Sequence, residues 1–96
     1  MQTNSPSHKA ANMKKLVITC STNDTVKDVL AIDGTIAFIA GMNNGYKVKS
    51  EMNAAEYHVY LEFDIETDVP KFLQQLADAI TKMKVGMTSL KASARL

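Results

Sequence analysis

Cysteine is almost absent from this chain, with Cys20 standing alone. A single thiol cannot close an internal disulfide, so the core must hold the fold, and a reducing cytoplasm suits it. Only two histidines occur, His8 and His58, and Cys20 has no CxxC partner, so no metal-ligand set can be assembled. No sign of charge dominates: Lys and Arg number 11 against 10 Asp and Glu, for a net charge of +1 spread along the sequence. That balance lacks the basic footprint of a nucleic-acid binder or of a protein held to an anionic membrane. No apolar run approaches the roughly 20 residues that cross a bilayer, and the N-terminus has no apolar signal core. Paired carboxylates, a nucleophile beside a base and a phosphate loop are all missing, so the sequence predicts no enzyme and no cofactor.

What is present is patterned. With 46% apolar residues in 96, the chain can form one domain around a modest core. From Glu56 to Ile65 every second residue is apolar: Tyr57, Val59, Leu61, Phe63 and Ile65. A period of two predicts a strand with one buried face. The next stretch changes period, placing Val69, Phe72, Leu73, Leu76, Ile80 and Met83 on one stripe of a helix. Thr67 or Asp68 can cap it, Pro70 is tolerated in its first turn, and Gly86 can end it.

Earlier in the chain, residues 1–12 are small and polar and read as a disordered tail ahead of a single domain at 13–96. Met13, followed by Lys14 and Lys15, reads as an internal start. Leu16 to Cys20 predicts a central strand, because apolar residues stand on both faces. Thr25 to about Ala40 favours one helix, with Val26, Val29, Leu30, Ile32, Ile36, Ala37, Ile39 and Ala40 on a broad arc. The alternative is a turn at Asp33-Gly34 followed by a strand over Thr35–Ala40. Gly41 and Asn43-Asn44-Gly45 end this segment.

Tyr46 to Met52 predicts a strand in hairpin with the next, with Tyr46, Val48 and Met52 inward. Matching inward faces pairs Met52 with Tyr57, Val48 with Leu61 and Tyr46 with Phe63, and sets Lys47 opposite Glu62 and Glu51 opposite His58. A weak final strand follows at Gly86–Leu90, with fraying from Lys91. The expected class is α+β: a ferredoxin-like βαββαβ sandwich with two helices on one face of a four-stranded antiparallel sheet.

Three segments carry a family resemblance: Asn23-Asp24 in the first loop, Gly41-Met42-Asn43 at the end of the first helix, and Gly86-Met87-Thr88-Ser89-Leu90 at the close. In this order, over roughly residues 15–91, the chain resembles an ACT domain, a small regulatory module of amino-acid biosynthetic enzymes and stringent-response synthetases. The resemblance implies a non-catalytic sensing module that binds an amino acid or similar effector between the subunits of a homodimer. Its site would comprise Asn23, Asp24 and Thr25 together with Asn43 and Asn44. Free amides at a helix N-terminus attract a carboxylate, and Asp24 attracts an ammonium.

The plainer reading is that Asn23, Asp24 and Thr25 only cap the helix and that Asn43 is a C-terminal cap. The family's loop glycine is replaced here, since Asp24 is followed by Thr25, Val26, Lys27 and Asp28. That departure favours the alternative of an ACT-like protein-interaction module without a small ligand. The strand His58–Phe63 loosely echoes an RNA-recognition motif, but Glu62 and Asp64 would repel phosphate. His58 opposite Glu51 reads as a solvated pair, and Cys20 as a core thiol.

Overall fold

Alternating apolar residues fix which sheet face is buried, and the structure builds its core on that alternation. The structure, a computed structural model, describes residues 13–22, 26–53, 56–83 and 87–94. In chain order these form strand β1 (Lys14–Thr22), helix α1 (Val26–Met42), strands β2 (Gly45–Asn53) and β3 (Glu56–Phe63), helix α2 (Val69–Met83) and strand β4 (Met87–Ala94). The expected tail and the helix stop at Gly86 lie outside the described residues.

The four strands make one antiparallel sheet in the order β2-β3-β1-β4, so β1 is central, as its apolar residues on both faces predict. Leu16, Ile18 and Cys20 of β1 and Tyr57, Val59, Leu61 and Phe63 of β3 form the buried face. They join Val29, Ile32, Ile36, Ile39 and Ala40 of α1 and Phe72, Leu76 and Ile80 of α2 in one core. Phe63 and Phe72 anchor it, their rings 4.8 Å apart and tilted by 58°. Burying one such side chain contributes about 2–3 kcal/mol.

Helix α1 runs unbroken through Gly34, so the helical reading holds over the turn-and-strand alternative. It does not stop at Gly41. The left-handed residue that ends it is Asn44, with φ 62°, a conformation that asparagine tolerates better than most residues. Before α2, Asp68 is the cap, its Oδ1 accepting the Lys71 amide at 3.1 Å. Thr67 is buried instead, donating to the Asn43 carbonyl at 2.8 Å. Lys14 then donates to the Thr67 carbonyl at 2.9 Å, tying the start of β1 to the approach to α2.

Several expectations are corrected. The hairpin pairs Met52 with Tyr57 and Glu51 with His58 as expected, but a bulge between Lys47 and Lys49 shifts the register beyond it. Val48 is the extra residue; Tyr46 then opposes Glu62, and Lys47 opposes Leu61. Tyr46, Val48 and Met52, expected inward, are each about half exposed. Ile65 is also exposed, because β3 stops at Phe63 and the chain turns at Asp64, whose side chain accepts the Glu66 amide. The last strand extends to Ala94, because its backbone pairs with β1 from Leu16 to Thr22 whatever its side chains are. Leu30, expected on the core arc of α1, lies outside it.

Candidate functional site

Helix α1 departs from the usual division into an apolar and a polar face. Between Val29 and Met42 its only polar side chains are Asp33 and Thr35, and a helix apolar all round is normally covered all round. Here the sheet and α2 cover only part of it. On the outer side Leu30 is 64% exposed, Phe38 69% and Met42 57%. With Gly34 these residues recur at every fourth position, one row along the helix.

This row borders an open groove of about 770 Å³ between α1 and α2. Ala79 and Met83 of α2 form the facing wall, and Asp78 and Lys82 supply the charged groups on its lining. Thr35 Oγ1 donates to its own helix at the Ala31 carbonyl, 2.9 Å away, and lies 3.2 Å from Met83 Sδ across the groove. Gln75, which also lines the groove, accepts a 2.8 Å hydrogen bond from Asn43 Nδ2.

Of the residues expected to bind an effector, Asn23, Asp24 and Thr25 lie outside the described residues. Asn43 is buried, and its side-chain amide donates to the Ile39 carbonyl at 2.9 Å as well as to Gln75. Both donors of that amide are thus used, one within the end of α1 and one across to α2. Asn44 is exposed, and its carbonyl accepts the Asp64 amide at 3.1 Å.

A polar cluster sits on the flank of α1 that faces β2. Asp33, the one acid inside the helix's apolar stretch, accepts from Tyr57 Oη at 2.9 Å and pairs with Lys47 Nζ at 2.9 Å. Burial is the largest influence pushing the Tyr57 phenol above its usual range; the hydrogen bond to Ser50 acts against it and that to Asp33 with it. The hydrogen bond to Asp33 raises the Lys47 ammonium. Each member thus has its partner, and the cluster reads as a clamp between α1 and the β2-β3 hairpin.

The sheet face opposite the buried side chains of β1 and β3 carries polar groups that bond to one another. Tyr46 donates to Glu62 at 2.6 Å, which raises its phenol. Lys49 lies 4.9 Å over the Tyr60 ring, and Tyr60 donates to Glu51 at 2.8 Å. His58 meets Thr19 at 3.2 Å and Glu56 at 3.5 Å. Cys20 is fully buried, and desolvation raises its thiol to about 11, far from a reactive thiolate. Among the described residues no group of His, Cys, Asp and Glu could hold a metal ion, and no helix is long and apolar enough to cross a membrane.

Sequence reasoning missed Phe38. The available signal was the near absence of polar residues opposite the core arc of α1. No protein-family model matches the chain, and no curated protein matches it.

Proposed function

We propose that this chain is a non-catalytic interaction module of ferredoxin-like βαββαβ architecture, similar to an ACT domain, with both helices on one face of the sheet. Its working surface is the outer side of α1 and the groove beside it. One observation carries this reading: α1 is almost wholly apolar from Val29 to Met42, yet Leu30, Phe38 and Met42 on its outer side are exposed. Contiguous apolar surface of this kind marks a place where another molecule docks. A cytoplasmic setting fits the unpaired, fully buried Cys20.

A second reading keeps the small effector, an amino acid held between subunits by Asn23, Asp24 and Thr25 of one and Asn43 and Asn44 of the other. It is supported by the exposed turn at Asn44. Against it, the Asn43 amide is already engaged within the chain. A thermal-shift screen with the common amino acids separates the two, because a ligand selective for the folded state raises its melting temperature. The interaction module predicts no amino-acid response. A selective rise that Asp24→Ala removes would replace it with the effector reading.

A further inference from the structure

We propose that the outer row of α1 pairs with the same row of a second copy of the chain, antiparallel about a two-fold axis. Gly34 then lies opposite the partner's Phe38, and Leu30 opposite the partner's Met42. This deepens the interaction-module reading and rests on it.

The row is complementary to its own reverse. Read in opposite directions, Leu30, Gly34, Phe38 and Met42 set the most exposed aromatic against the smallest residue and two mid-sized apolar side chains against each other. Ridges at four-residue spacing are the commonest helix-packing surfaces. An isologous contact apposes a patch to itself and therefore tolerates little net charge. The charged residues lining the groove meet that condition, with one acid, Asp78, and one base, Lys82.

Gly34 is compatible with the pairing. Glycine inside a helix costs about 1 kcal/mol relative to alanine. A Cβ at Gly34 would meet nothing within 4 Å in its own chain, so internal packing does not require glycine there. The same holds for Gly41, outside the row, but at Gly34 the open space leaves room for a partner aromatic on the helix backbone.

Cysteine cross-linking tests the register. The double variant Leu30→Cys/Met42→Cys is expected to form a covalent dimer under mild oxidant. Either single variant should not, because its two copies would lie about 18 Å apart along the paired helices. In sedimentation equilibrium, Phe38→Asp and Gly34→Leu should each weaken the dimer ~100-fold, with unchanged circular dichroism. A wild-type chain that is monomeric at about 100 μM overturns the pairing. So does a dimer that survives Phe38→Asp, or cross-linking as efficient in a single variant as in the double. A monomer would defeat this pairing alone, whereas the amino-acid screen decides the module reading separately.

Discussion

Gly45 lies directly against the ring of Phe63: a Cβ at Gly45 would collide with Phe63 Cδ2 and come 2.6 Å from Cε2. The two residues oppose each other across β2 and β3, so a fully buried core aromatic is seated on backbone. Gly34 is the contrasting case, exposed and with open space where a Cβ would project. Gly45→Ala is therefore expected to destabilise the fold by roughly 2–4 kcal/mol, because a packed ring must move. Gly34→Ala should gain up to about 1 kcal/mol from helix propensity while weakening self-association. Urea denaturation of the two variants at low protein concentration checks the first pair of signs, and sedimentation checks the last.

Asn43 is expected to act as a joint between helices. Asn43→Ala should cost roughly 1–3 kcal/mol, since it removes donors to Ile39 and Gln75 inside the protein. A double-mutant cycle with Gln75→Ala should show a coupling of about 0.5–1.5 kcal/mol. A coupling near zero would mean that the 2.8 Å contact contributes nothing to stability.

Much of this arrangement is legible in the sequence, and the exceptions have definable causes. The periods of β3 and α2 reveal the core face, because each element buries only one side. Continuity of α1 follows from apolar residues on both sides of Gly34. The bulge at Val48 is hidden, since an apolar residue in alternation reads as inward; only pairing with β3 reveals the slip that turns Tyr46 toward Glu62. The length of β4 is hidden because backbone pairing with β1, not its side chains, sets it. Of the candidate site, Asn43 was legible as a helix-end residue. Its bond to Gln75 was not, because it joins positions 32 residues apart.

The clamp at Asp33 should be measurable in parts. Tyr57→Phe leaves Asp33 with Lys47 but removes the hydroxyl's bonds to both Asp33 and Ser50, and should cost roughly 1–3 kcal/mol. Lys47→Met should cost less than that, and its effect should shrink in high salt, because the pair is partly solvated. Denaturation midpoints at low and high salt distinguish the two contributions.

Cys20 should make the fold sensitive to alkali. Burial raises its thiol from the ordinary 9.0 to about 11, so the folded state holds this proton more tightly than the unfolded chain. Its contribution is complete below about pH 9 and is lost as pH rises toward 11, amounting to roughly 2–3 kcal/mol. Cys20→Ala should flatten that part of the stability profile, even though its small cavity lowers stability at neutral pH. An unchanged slope between pH 9 and 11 would assign the alkaline loss to the tyrosines and lysines.

The central claim is that the outer row of α1 is the surface through which this chain associates. Backbone amide NMR spectra recorded over a dilution series test it most directly. The account predicts concentration-dependent shifts at Leu30, Gly34, Phe38 and Met42 and at Ala79 and Lys82 across the groove, with β2 and the open sheet face unchanged. Shifts confined to the edge strands or to Tyr46 and Tyr60, or none at any concentration, would contradict it.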